Sequence, residues 1–153
     1  MKILDILDPA AIVPEMRATT KPEALHELAS TLASRHSSIE ENRLVDVLLE
    51  SEELGSTAIG EGIAIPHGKL PGMANVVAAF GRSVKGVDFD SLDGSPTRLF
   101  FLLVAPEDSA GIHLKALARI SRLLKDRDFR ERLFAGTTRE AIFETIRAED
   151  EKY

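Results

Sequence analysis

Leu54-Gly-Ser-Thr-Ala-Ile-Gly-Glu-Gly-Ile-Ala-Ile-Pro-His-Gly-Lys69 sets one histidine, His67, behind a glycine-rich lead and between a proline and a glycine. Gly55, Gly60 and Gly62 let the backbone adopt turns closed to other residues and leave room for close approach. Ile63-Ala-Ile65 predicts a very short strand. Pro66 cannot donate to a ladder, so it ends that strand and keeps Ile65 extended. Gly68 is then expected to turn the chain away. These residues read as an imidazole held at the end of a sheet with few side chains over it.

An imidazole so placed can act as a general base, a metal ligand or a nucleophile. The His-x-x-x-His and Cys-x-x-Cys spacings of metal sites are absent. Ser56 and Thr57 lie outside any Gly-x-Ser-x-Gly elbow, and no Gly-x-x-x-x-Gly-Lys-Ser/Thr loop is present. The hydroxyls of Ser56 and Thr57 and the backbone N–H beside Gly68 remain as candidate anion donors. Phosphoryl transfer suits such a site, because it demands positioning and charge stabilisation above all. On residue types alone, a turn carrying a surface histidine stands level with that reading.

Working outward, Thr20-Lys-Pro-Glu23 is a capping box with proline in the first turn. It predicts a helix that buries Ala24, Leu25, Leu28, Ala29 and Leu32 and leaves His26 on the surface. His36 falls at its end. Ser38-Ile-Glu-Glu41 reads as a second box, before a helix that buries Leu44, Val47 and Leu48. Before these helices, Met1 to Met16 reads as irregular, with a short strand near Ile12-Val13. Beyond His67, Pro71-Gly72 marks a turn, and Val76 to Val84 and Val87 to Phe89 read as strands. Asp93-Gly-Ser-Pro96 is a second turn. Leu99-Phe-Phe-Leu-Leu-Val-Ala105 is apolar throughout, as a strand covered on both faces should be, and Pro106 stops it.

Ser109 is the expected N-cap of a helix running to about Lys125. Leu117, Ile120 and Leu124 follow His113 on one stripe, so His113 is expected to point inward from the first turn of that helix. A short helix from Asp128 to Ala135 closes at Gly136. Thr137-Thr-Arg-Glu140 reads as a third capping box, before a helix that buries Ala141, Ile142 and Ile146. The charged end, Glu149 to Tyr153, is expected to fray. Helices before and after a buried strand pair predict one α/β domain over residues 1–153, with helices on both faces of a mixed sheet.

Composition narrows the function. At 153 residues and 44% hydrophobic, the chain has length and apolar content for one core. Cysteine is absent, which excludes disulfides, thiolate zinc sites and a cysteine phosphoacceptor. A net charge of −6 argues against general nucleic-acid binding. Asp5 and Asp8 interrupt the N-terminal apolar residues, so no secretory leader is expected. The run at Leu99 is far too short for a membrane span. A cytoplasmic protein is the expectation.

Residues 54–69 resemble the phosphorylation-site signature of enzyme IIA domains of the bacterial phosphoenolpyruvate-dependent phosphotransferase system, of the fructose/mannitol/nitrogen-regulatory type. A second matching segment is Pro106-Glu-Asp-Ser-Ala-Gly-Ile-His-Leu-Lys-Ala-Leu-Ala-Arg-Ile-Ser-Arg-Leu-Leu124. The likeness runs from about Ile3 to about Ile146. It implies that His67 takes a phosphoryl group on Nε2 and that His113 is the second active-site histidine. It also implies a phosphorylated histidine-containing carrier protein as donor. The recipient would be a IIB domain or a regulatory target protein, with no metal, nucleotide or other cofactor on this chain. The stand-alone nitrogen-regulatory members are the best match. Members of this type usually carry an arginine that helps hold phosphate oxygens where this chain has Ser51. Lys69, Lys115 and Arg17 are candidate substitutes for its charge, and Ile59, Ile112 and Leu70 are candidates for an exposed apolar rim around His67. A binding-only module with weakened transfer, and a hydrolase using His67 as base, are the competing readings.

Overall fold

The computed structural model describes residues 1–153. A 3-10 turn at Ile3–Asp5 leads into β1 (Leu7–Val13), and two helices follow, α1 (Lys21–Arg35) and α2 (Glu41–Leu54). Three short strands come next: β2 (Ala58–Gly60), β3 (Ile63–Ala64) and β4 (His67–Leu70). The long strands β5 (Val77–Val87) and β6 (Thr97–Pro106) precede α3 (Ala110–Leu124), α4 (Arg127–Ala135) and α5 (Arg139–Glu151). The strands form one sheet in the order β1-β5-β6-β3-β2, with β4 also on β6. β5 and β6 run antiparallel, whereas β1 is parallel to β5 and both β3 and β4 are parallel to β6. The expected single α/β domain with a mixed sheet and helices on both faces is what forms.

β6 is the hub because its side chains feed two cores. Phe100, Leu102 and Val104 pack with Leu25, Leu28, Leu44 and Leu48 of α1 and α2. Leu99, Phe101, Leu103 and Ala105 pack with Ile120, Phe129 and Ile142 of α3, α4 and α5. The period of two in a strand sorts an unbroken apolar run onto both faces. The α1 expectation holds in full: Thr20 accepts from the Glu23 N–H, the Glu23 carboxylate reaches back, and all five stripe residues are buried. His26 sits on the surface, with Nδ1 3.0 Å from the Glu41 carboxylate, and His36 is the C-cap of α1.

Several expectations change. The N-terminus holds a seven-residue edge strand, β1, and Pro9 is tolerated there because an edge position needs no second ladder partner. A register shift between Leu7 and Ile12 absorbs the misfit. Glu40, not Ser38, caps α2, with its carboxylate taking the Asn42 and Arg43 N–H groups. Val45 is buried in place of Val47, which is half-buried. Ser109 stands at the N-cap of α3, but its hydroxyl donates to the Pro106 carbonyl at 2.6 Å. Asp126 caps α4, and Thr138, one residue later than expected, caps α5 and leaves Ala141 exposed.

The C-terminal end does not fray. Glu149 and Asp150 are buried, because α5 returns to the start of the chain and to α3 and α4. Asp150 accepts from the Leu4 N–H at 3.2 Å and from Arg119 Nε at 2.8 Å, while Arg132 and Lys152 both reach Glu149 Oε1 at 3.0 Å. Asp150→Ala would strand a largely covered Arg119 guanidinium and the Leu4 N–H. It is expected to destabilise the fold by about 3 kcal/mol, read as a lower denaturant midpoint at unchanged slope. A loss below about 0.5 kcal/mol would show that the clamp is solvated surface pairing.

Candidate functional site

Strand register aims His67. His67 stands opposite Leu103 in the parallel ladder, on the face that α3 covers, and Gly68 stands opposite Val104 on the α2 face. Gly68 therefore continues β4 instead of turning the chain away. A Cβ on Gly68 would lie 2.8 Å from Val47 Cγ1, so glycine is what lets α2 approach the strand. The turn sits earlier: Gly60, Glu61 and Gly62 all have positive φ, at 89°, 56° and 79°. Glu61 holds its unfavourable conformation with its N–H on the Asp93 carboxylate at 3.0 Å.

The His67 ring is half-buried, and its Nδ1 is 2.8 Å from the Ile65 carbonyl. A carbonyl only accepts, so Nδ1 carries the proton and the neutral ring keeps its lone pair on Nε2. The His113 ring stands edge-on to it, with centroids 5.4 Å apart and planes at 62°. His113 is 6% exposed, and its Nδ1 is buried without a hydrogen-bond partner. Burial holds the His113 pKa below the usual histidine range, and the proximity of the His67 ring and of Lys69 adds to the effect. The unfolded chain takes up a proton near pH 6.5 that the folded site resists, so His113 removes stability as pH falls from there to its lower folded pKa.

A groove of about 420 Å³ runs past His67. Ser51, Ser56, Thr57, Ile65, Leu117 and Ser121 are among its walls. The hydroxyl protons of Ser56 and Thr57 are already committed. Ser56 donates to the Phe89 carbonyl at 3.0 Å, and Thr57 donates its hydroxyl and its N–H to the Glu52 carboxylate at 2.5 and 3.0 Å. Glu52 is buried and paired with Lys21 at 3.2 Å. The sequence reading missed this strut, although its sign was there in the carboxylate five residues before Thr57 on the last turn of α2. It also missed Ser121, two turns beyond His113, because only the fold sets that part of α3 beside the groove.

No lysine or arginine lines the groove. Of the candidate cations, Lys69 is near enough to act on His113; Lys115 and Arg17 are exposed. Ile59, Ile112, Leu54 and Leu114 are exposed apolar residues, whereas Leu70 is buried in the α1–α2 core and drops out of the expected rim. No group of three or more His, Cys, Asp or Glu stands together as metal ligands would, and no helix is long and apolar enough to cross a membrane.

The family described as phosphoenolpyruvate-dependent sugar phosphotransferase system, EIIA 2, matches residues 5–149. A nitrogen regulatory protein of Bradyrhizobium diazoefficiens is 44% identical over 146 residues, 95% of each chain. The fructose-specific EIIABC component of Bacillus subtilis is 36% identical over 150 residues, which cover 98% of this chain and 24% of that protein. The crystal structure of nitrogen regulatory protein IIA-Ntr from Neisseria meningitidis superposes with a TM-score of 0.86 at 32% identity, over 93% of this chain and 97% of that one. A fold built around β6, two histidine rings edge to face and matches along nearly the whole length lead to one assignment: the chain belongs to the EIIA type-2 family of the phosphotransferase system, whose general role is to carry phosphoryl groups, and it is similar to the family's nitrogen-regulatory members.

Proposed function

We propose that His67 accepts a phosphoryl group on Nε2 from the phosphohistidine of a carrier protein, and that the phosphorylated chain regulates a target protein in the cytoplasm. The observation that carries this is the bond from Nδ1 to the Ile65 carbonyl, which leaves Nε2 as the nucleophilic atom. The Nε2 lone pair attacks phosphorus as the bond from phosphorus to the donor's ring nitrogen breaks, and that electron pair stays on the donor ring. The His67 Nδ1 keeps its proton and its hydrogen bond to the Ile65 carbonyl throughout. Both proteins bring their rings into line, so the barrier falls chiefly through positioning. Exposed Leu54, Ile59, Ile112 and Leu114 supply apolar surface for that encounter. The regulatory output rests on the nitrogen regulatory relative, which matches over 95% of both chains. Onward donation to a IIB domain is the second reading, favoured by the fructose-specific relative. Incubation with phosphoenolpyruvate, the system's first enzyme and its carrier protein tests the proposal. Acid-labile, base-stable labelling supports it, and no labelling counts against it.

In this proposal His113 is the group that senses and steadies the phosphoryl group. A new negative charge beside a ring whose pKa is held down by burial should draw a proton onto it. The His113 pKa is therefore expected to rise on phosphorylation of His67, from below the usual range to above it, as followed by NMR titration of its ring protons. His113→Ala should slow transfer by about a hundredfold while His67 remains modifiable. An unmoved His113 titration together with unchanged rates would remove His113 from the reaction.

A further inference from the structure

A second concave site lies on β6 four residues from the position facing His67, a spacing of about 13 Å along a strand. It is a groove of about 410 Å³ between the β2–β3 turn, the start of β6 and α4. Three arginines line it: Arg98, Arg127 and Arg130. Arg98 spends one N–H on the Val84 carbonyl, with its guanidinium carbon 5.8 Å from the Phe134 ring centre. Arg127 is 84% exposed and has one bond, from Nε to Glu131 at 3.1 Å. Arg130 is 14% exposed; it donates to the Leu124 and Lys125 carbonyls at 2.7 and 3.0 Å and meets Glu61 at 3.0 Å. Buried Arg82 donates to the carbonyl of Phe134, one of the groove's walls, and to that of Pro14.

We propose that this groove binds a small ligand carrying a diphosphate group, which displaces Glu61 from Arg130. A guanidinium has five N–H donors, so most of those on Arg98 and Arg127 are unspent. Arg98 and Arg130 are held in place by backbone carbonyls, so a ligand orders little side chain on binding. The carboxylates now present, Glu61 and Glu131, are 70% and 64% exposed, and exposed pairs of this kind are cheap to break. Two linked phosphates offer several forks' worth of oxygens and more charge than the carboxylate they replace, which a single phosphate does not. An extended polyanion is disfavoured by the net charge of −6 and by the size of the groove. The proposal stands apart from the reaction at His67.

The test is titration of the full chain with inorganic pyrophosphate at constant ionic strength, followed by calorimetry and by backbone amide shifts. One saturable site is expected, with shifts confined to Glu61, Gly62, Leu99 and residues 127–135. Arg98→Gln should weaken binding about tenfold or more, and Arg127→Ala several-fold. Glu61→Gln removes the competing charge and should tighten binding several-fold, a gain that damage to the fold does not produce. The proposal is overturned by any of three outcomes: no saturable binding, equal binding of sulfate, or affinities that Arg98→Gln and Glu61→Gln leave unchanged.

Discussion

Replacing His67 by alanine is expected to abolish phosphoryl labelling of the chain while the fold persists. The fold should persist because His67 joins the sheet through its backbone, opposite Leu103, and its half-buried ring belongs to neither core. Loss of labelling should be complete because the remaining histidines are poorly placed. His26 sits on the surface with Nδ1 3.0 Å from the Glu41 carboxylate, His36 caps α1, and His113 is 6% exposed. With cysteine absent, no thiol can take over. Circular dichroism and the thermal midpoint should stay near those of the parent chain. Full labelling of a folded His67→Ala variant would refute the assignment, and labelling moved to His26 or His36 would do the same.

Ser51→Arg is expected to accelerate phosphorylation of His67 by about tenfold to a hundredfold. A transferring phosphoryl group spreads negative charge over its oxygens, and removing one preorganised donor of that charge typically costs about two to three decades in rate. Ser51 lines the same groove as His67, which no lysine or arginine lines. Lys69 lies close enough to act on His113 and is a candidate to supply part of the missing charge, so the expected gain is set below the full value. Glu52 does not capture the new guanidinium, because its carboxylate is buried against Thr57 and Lys21. Glu50 and Glu53 are exposed and are the competitors nearby in sequence. Single-turnover phosphorylation by the same phosphorylated carrier, with carrier binding measured alongside, decides the matter. Equal rates at equal affinity would mean that another group already neutralises the phosphoryl oxygens.

The sequence announced those parts of the fold that depend on local chemistry. The capping box at Thr20 and the stripe behind it define α1, and the apolar run at Leu99 defines the central strand. It concealed what depends on pairing. His67-Gly-Lys-Leu70 has no strand-forming composition, and it is a strand because β6 offers a free parallel edge there. Asp8 and Pro9 disguise β1, whose edge position tolerates both. Glu149 and Asp150 look like a solvated tail until Arg119, Arg132 and Lys2 are brought over them by the fold. In the site, the glycines and proline around His67 marked the residue, and the helical stripe marked His113 as inward-facing. Their edge-to-face contact follows only from register, since His67 shares the α3 face with Leu103. Ser56 and Thr57 line the groove with His67, but their hydroxyl protons hold the loop in shape, which residue type alone does not reveal.

In the proposed reaction the Ile65 carbonyl fixes the His67 tautomer and so selects the phosphorylated atom. The direct test is NMR of the nitrogen-labelled chain after phosphorylation through the carrier protein, resolving phosphorus coupling at each imidazole nitrogen. Coupling is expected at Nε2 of His67 alone, with Nδ1 still protonated. Coupling at Nδ1, or at any other histidine, would contradict it.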